Sequence, residues 1–281
     1  MLIPRVEDFA DMKPEQEQTY KTFQKFAGVF YNTFIDTSIQ NPHYVPDEGP
    51  FVLVANHRSD LDPFLLIVNI KRVINWLAAS YLWNIPGSRQ VMVGLGAIPV
   101  SKHKTEIERA FDSAVGQLEK GQGVGIFPEG WDYISKNQFD WSVGEFNTGF
   151  ARIAMRAGAP VVPVALQGFN ERRGRQSFPP FIRKIMDYPI EMQYIKDRCV
   201  YKKLHINVGR PIPVPKGMDP SDRDAVKEFT HMVNMKVIDL YEEFPTAPGF
   251  EGVRREPAGP RHDVDPQKIE AEELDDAGLH G

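Results

Sequence analysis

The sequence predicts a single-domain α/β fold in which a sheet is flanked by helices, and three observations point there. Short, β-branched apolar runs at Phe51–Ala55, 124–127 and 161–166 have the length of buried strands. Between and after them, apolar residues recur at helical spacing, above all over 105–119 and 221–241. A chain of 281 residues can bury a full core, and 42% hydrophobic with 25% charged residues is the balance of an ordinary globular protein. The expected division is an N-terminal helical element with possible membrane contact over 1–46, the main domain over 47–243, and a flexible acidic tail over 244–281. A short helix near 266–274 is expected in that tail.

Composition also excludes. A net charge of −5 argues against nucleic acid as a partner. The single cysteine, Cys199, rules out an intramolecular disulfide and a multi-cysteine metal site, and no metal-ligand motif is present. No stretch approaches about 18 uninterrupted apolar residues, so no transmembrane helix is predicted. The first residues are acidic and broken by proline, unlike a signal peptide, which leaves a cytoplasmic location as the expectation.

Taken in order, residues 18–36 read as a helix carrying Phe23, Phe26, Phe30 and Phe34 on one side. That face could pack on the domain or lie on a bilayer. The strand Phe51–Ala55 breaks off into Asn56-His57-Arg58-Ser59-Asp60, and a helix over 63–70 follows with Asp62 as its expected N-cap and Pro63 in its first turn. A strand over 73–79, a Pro-Gly turn at Pro86-Gly87, and a strand over 91–100 come next, the last leading into Ser101-Lys102-His103-Lys104. Thr105 is the expected cap of the helix over 105–119, whose stripe is Ile107, Phe111, Ala114, Val115 and Leu118, and Gly121 closes it. The strand over 124–127 delivers Pro128-Glu129-Gly130. A helix over 147–156, the strand over 161–166, a strand over 204–208 and the helix over 221–241 complete the domain. Between them, 170–187 mixes Arg172, Arg173, Arg175, Arg183 and Lys184 with Phe178, Phe181 and Ile182, a local reversal of charge suited to anionic head groups or the phosphates of an acyl carrier.

The residues that carry chemistry stand where strands end. His57 lies just beyond the carboxyl end of a strand, the edge where open α/β sheets bind ligands. A neutral imidazole there can take the proton of a hydroxyl attacking an electrophile. A carboxylate on its other nitrogen would fix the tautomer and stabilise the imidazolium that forms. Asp62 is the first choice for that carboxylate and Asp60 the second. Alone, the pair could equally be a loop histidine and a helix cap.

Four segments in order resemble the motifs of the glycerolipid acyltransferase superfamily, most closely the bacterial 1-acyl-glycerol-3-phosphate acyltransferases, over about residues 50 to 215. Asn56-His57-Arg58-Ser59-Asp60-Leu61-Asp62 is similar to the first motif, N-H-x-x-x-x-D; Gly96 to Lys102 (GAIPVSK) to the second; Phe127-Pro128-Glu129-Gly130 matches the third letter for letter; and 161–166 (VVPVAL) is similar to the fourth. The resemblance implies a mixed β-sheet flanked by helices and an O-acyltransferase with His57 as general base oriented by Asp62. It implies acceptor binding by Glu129 and Gly130, phosphate binding by Lys102 with Lys104 nearby, and Asn56 and Ser59 as further substrate contacts. The co-substrate would be acyl-CoA or acyl carrier protein, with no cofactor and no metal, and the acceptor a lysophospholipid, most directly 1-acyl-glycerol-3-phosphate. Peripheral association with the cytoplasmic membrane face follows, with Phe23, Phe30, Arg172, Arg173, Arg175, Phe178 and Phe181 as contacts to membrane or carrier.

The chain departs from the pattern after Gly130. Trp131-Asp132-Tyr133 stands where the family has Thr-Arg-Ser, so an acid replaces an arginine that could meet phosphate. Lys102 likewise replaces an arginine, and lysine binds phosphate as a point charge without a bidentate fork. An acyltransferase for another acceptor, a glycolipid, other lysophospholipid or alcohol, is therefore the nearest rival. A His-Asp thioesterase or hydrolase is the next, although no G-x-S-x-G elbow is present. A silent membrane-binding protein is the third.

Overall fold

The computed structural model describes residues 14–101, 103–130, 143–169, 172–175, 180–185 and 197–243. Seven strands form one sheet: β1 (Asp36–Gln40), β2 (Phe51–Ala55), β3 (Ile74–Ala79), β4 (Ile98–Val100), β5 (Gly123–Ile126), β6 (Val161–Phe169) and β9 (Lys203–Val208). Two more, β7 (Arg172–Arg175) and β8 (Asp197–Val200), pair as a separate antiparallel ribbon. The helices of more than one turn are α1 (Pro14–Phe34), α2 (Asp62–Asn69), α3 (Ser88–Gly94), α4 (Lys104–Glu119), α5 (Gly149–Ala157), α6 (Pro180–Ile185) and α7 (Arg223–Glu242). Strand order is β1-β9-β6-β2-β5-β3-β4, with every pair parallel except β6–β9. The sheet is mixed and helix-flanked, as the sequence predicts.

β2 shows why the sheet is covered on both sides. All five of its residues are buried, as expected of a central parallel strand. Successive side chains point to opposite faces. Val52 and Val54 join Phe111, Leu118, Phe150, Ile153, Phe229 and Val237 from α4, α5 and α7. Phe51, Leu53 and Ala55 join Tyr20, Leu65, Leu66 and Ile70 from the α1 and α2 side. Two apolar layers therefore sandwich one sheet.

Several elements differ from the sequence expectation. Residues 91–100 do not form one strand: α3 occupies 88–94, Gly96 turns the chain at φ 65°, and only Ile98–Val100 pair with β3. The Val91-Met92-Val93 run buries Met92 alone against Trp83 and Ala97 while Val91 is exposed, a one-sided pattern that suits a helical turn. Asp62 is the first residue inside α2, with Leu61 as its N-cap, because its carboxylate is turned back to the preceding loop. α4 begins at Lys104 with His103 as its cap in place of Thr105.

The expected boundary at 46/47 also falls in the wrong place. β1 pairs in parallel with β9 inside the main sheet, and Ile35 is buried in the core, so residues 36–46 belong to the domain. α1 docks on α2, where the Gln24 amide donates to the carbonyls of Ile67 and Ile70 at 2.8 and 2.9 Å. The stretch 170–187, expected to suit anionic head groups or an acyl carrier, contains β7 and α6, and Arg183 is buried. Phe178 and the tail over 244–281, with its expected helix, lie outside the described residues.

Candidate active site

Parallel pairing brings the carboxyl ends of β2, β5, β3 and β4 to one edge, so 56–62, 127–130, 101 and 103–104 all emerge there. β2 and β5 are neighbours, while β4 is three strands from β2, roughly 14 Å at ordinary strand spacing. The first and third motifs are thus side by side, and the basic turn stands apart from them.

Beyond Ala55, the Asn56 side chain extends the β2–β6 ladder by one step. Its amide donates to the Leu166 carbonyl at 3.0 Å and its oxygen accepts the Leu166 N–H at 2.7 Å. That clamp points the next residue out of the sheet. The His57 ring lies on Phe127, centroids 4.2 Å apart, and Phe127 in turn stacks on Trp76 at 4.9 Å. Gly125 makes room for this stack, since a Cβ there would come within 2.6 Å of the Trp76 ring.

Asp62 organises the loop from the mouth of α2. Its Oδ2 accepts from His57 Nδ1 at 2.9 Å, Arg58 N at 2.7 Å and Ser59 N at 2.8 Å. Its Oδ1 accepts the Tyr201 hydroxyl at 2.8 Å. An ionised carboxylate is acceptor-only, so this donor set suits the charged form and fixes the proton of a neutral His57 on Nδ1. Nε2 is the nitrogen left for a substrate. The His57 side chain retains 19% of its exposure whereas that of Asp62 has none. The imidazole is reachable and the carboxylate beside it is sealed. Asp60, the second choice for orienter, is exposed.

Glu129 closes the loop from the other side. Oε2 accepts the His57 backbone N–H at 2.5 Å and Oε1 that of Gly144 at 2.6 Å. Burial pushes the Glu129 carboxyl up to about 8; the two N–H donors and the Arg58 charge oppose that rise, and Asp62 adds to it. The turn that presents Glu129 ends in Gly130 at φ 69°, a conformation that favours glycine, and the Asn147 side chain ties it by donating to the Pro128 carbonyl at 2.8 Å.

His57, Asp62 and Glu129 therefore meet, and three of the expected substrate contacts bond to backbone within the protein. Asn56 and Ser59 are buried and bonded to backbone, Ser59 Oγ donating to the Cys199 carbonyl at 2.7 Å. Glu129 has both oxygens on main-chain N–H groups. Gly130 stands at the turn itself. Lys104 is exposed in the first turn of α4, and Lys102 lies outside the described residues, as do Trp131, Asp132 and Tyr133. Phe23 packs against Phe64, while Phe30 is exposed; α1 turns these two aromatics to different surroundings. Arg172, Arg173 and Arg175 form β7, paired with β8.

Sequence reasoning missed Arg58, Tyr201 and the Trp76–Phe127 platform. Arg58 occupies a variable position of the first motif, yet its side chain is 1% exposed beside Glu129. Tyr201 is 139 residues from Asp62, with no spacing that could reveal the contact. Among the described residues no cluster of His, Cys, Asp and Glu could hold a metal.

Comparison with known proteins finds similarity over the part of the chain that carries this site. Residues 36–167 match the family model named Acyltransferase. A probable 1-acyl-sn-glycerol-3-phosphate acyltransferase of Mycoplasma genitalium is 25% identical over 160 residues, covering 55% of this chain and 58% of that protein. The 1-acyl-sn-glycerol-3-phosphate acyltransferase of Borreliella burgdorferi is 26% identical over 127 residues, 45% of this chain and 49% of that one. The chain thus spans about half the length of these curated relatives. The crystal structure of the 1-acyl-sn-glycerophosphate acyltransferase PlsC from Thermotoga maritima superposes with a TM-score of 0.57 at 21% identity, over 85% of this chain and 88% of that one, and so shares the fold.

Proposed function

From the premise that residues 36–167 are an acyltransferase-family domain, we propose that the protein transfers a fatty acyl group to a hydroxyl of a lysophospholipid, with 1-acyl-glycerol-3-phosphate as the first candidate and phosphatidic acid as product. The observation that carries the reading is the pair of His57 and Asp62, joined at 2.9 Å within the first motif and seated against the third. In the proposed step the acceptor oxygen attacks the thioester carbonyl of acyl-CoA or acyl carrier protein while His57 Nε2 takes its proton. Collapse of the tetrahedral intermediate expels the thiolate, which leaves with that proton. No covalent acyl-enzyme forms, so buried Cys199 has no part, and neither metal nor cofactor is used. The N–H groups of His57, Arg58 and Ser59 are committed to carboxylates, so donors to the oxyanion come from another segment.

Lys102 and Lys104 are the proposed phosphate ligands, Lys104 standing in the first turn of α4. The residues of α1 that face outward, with the arginines of β7, are the proposed contacts to the cytoplasmic membrane face; no described helix is long and apolar enough to cross a bilayer. A second reading, transfer to a different acceptor, is favoured by Trp131-Asp132 in place of Thr-Arg. Thiol release from palmitoyl-CoA or palmitoyl carrier protein, with and without lysophosphatidate, separates them. Release that requires lysophosphatidate and is lost in His57→Ala supports the first reading. Release indifferent to it supports another acceptor, or water when free fatty acid accumulates. No release with any donor and a panel of lysolipids sinks the enzyme reading.

A further inference from the structure

We infer that Tyr201 is a positioning residue for the His57–Asp62 pair, acting through the second oxygen of Asp62; this rests on the reading of His57 as the base. Oδ2 of Asp62 already receives three donors, His57 Nδ1 and two backbone N–H groups of the same loop. Those three bonds share one oxygen and leave the carboxylate free to pivot about it. The Tyr201 hydroxyl, 2.8 Å from Oδ1, stops that pivot. Both groups are sealed, Tyr201 at 2% exposure and Asp62 at none, so water cannot substitute for the donor. The tyrosine is itself held, because it follows β8, whose Cys199 carbonyl accepts Ser59 Oγ from the histidine loop at 2.7 Å. One strand thus braces the loop by its backbone and the carboxylate by the next side chain.

The hydrogen bond also draws charge from Asp62. Removing it concentrates the negative charge facing His57 Nδ1 and favours the imidazolium. Among the described residues, the other titratable and charged groups at the loop are Arg58, beside Glu129, and Glu129 itself from the turn after β5; neither is altered by a change at Tyr201. Loss of the hydroxyl should therefore do two things: loosen the alignment of Nε2 and shift its titration upward.

The test is Tyr201→Phe beside Tyr241→Phe. Tyr241 is an equally buried tyrosine on α7, in the apolar layer on the opposite face of the sheet from Leu65 and Leu66 of α2. Both variants lose one buried hydroxyl and some stability. Tyr201→Phe should lower kcat about tenfold with KM for donor and acceptor unchanged. It should also move the acid limb of the kcat–pH profile, set by the neutral base, up by roughly half a unit. Tyr241→Phe should move neither. A Tyr201→Phe enzyme with wild-type kcat and limb overturns the inference. So does a loss of rate accounted for by its fraction of folded protein, with the limb in place. Should the wild type release no thiol at all, the titration of the His57 ring by 15N NMR, assigned against His57→Gln, decides separately: an upward shift in Tyr201→Phe upholds the positioning, and an unmoved ring refutes it, whatever becomes of the enzymatic reading.

Discussion

At the scale of single residues, the site is governed by two buried carboxylates with different tasks. Asp62 faces one ring nitrogen and two N–H groups, and Asp62→Asn would present an amide N–H to donors that need an acceptor. We expect kcat to fall about 10³-fold in Asp62→Asn and as far in His57→Ala, measured as acceptor-dependent thiol release, with the fold retained by circular dichroism. Wild-type turnover in either variant would remove the pair from the mechanism. Glu129 holds the loop from below, and Glu129→Gln can satisfy only one of its two N–H partners. A cost of about 2 kcal/mol in unfolding free energy, measured by urea titration, is expected. The sign with pH follows from burial. The folded carboxyl, raised to about 8 from the ordinary 4.5, holds its proton where the unfolded one has released it. Wild-type stability should therefore decline as pH rises from 4.5 toward 8, and Glu129→Gln should lack that decline. Parallel stability curves for the two proteins would show that Glu129 does not titrate in this window.

At the scale of elements, the sheet sets the histidine by way of an aromatic stack. β5 carries glycine at 123 and 125, where its neighbours project Phe51 and Trp76. Gly125→Ala would drive a methyl against Trp76 and Ile74 and displace Phe127 beneath His57. A destabilisation of about 1–3 kcal/mol is expected, together with loss of turnover in excess of the unfolded fraction. An alanine variant with full stability would mean that β3 can shift to admit the methyl. Which elements could be read from sequence follows from their burial. β2, β5 and β6 are fully or nearly fully buried and carry unbroken apolar runs, and α4 and α7 each show one clear stripe. β1 reads Asp-Thr-Ser-Ile-Gln because it is a half-exposed edge, so its pairing with β9 left no pattern to find. α3 was hidden because Val91-Met92-Val93 suits strand or helix equally, and the chain reversal at Gly96 decides between them. At the site, the order of motifs located His57, Asp62 and Glu129, since adjacent parallel strands must end at one edge. It could not distinguish a carboxylate that meets substrate from one that meets backbone, nor find Tyr201, because both depend on which segment returns to the loop after the sheet has closed.

At the scale of the whole molecule, the proposed reaction would bring the edge that carries His57 to a lysophospholipid held in a bilayer. α1 buries Tyr20 and lays Phe23 on Phe64, but Phe26, Val29, Phe30 and Phe34 project outward, each at least 60% exposed. Such a row is costly in water, and its coverage by acyl chains would recover roughly 1.5–3 kcal/mol for each fully buried side chain. A second copy of the chain could cover it as well, and the two coverings differ in what they demand. Membrane contact needs anionic vesicles and leaves the protein monomeric in their absence; self-association needs concentration alone. Phe26→Ser combined with Phe30→Ser, both exposed and outside the sheet, should reduce co-sedimentation with phosphatidylglycerol vesicles by about 10²-fold in partition coefficient while the melting temperature stays within a few degrees. Turnover should fall for lysophosphatidate embedded in vesicles and hold for a short-chain, water-soluble analogue, because the His57 loop is untouched by the change. Undiminished vesicle binding by the double variant would remove α1 from the membrane contact and leave β7 with its arginines to carry it. A wild-type dimer that becomes monomeric on the same substitutions, by light scattering without lipid, would assign the exposed row to an interface between copies.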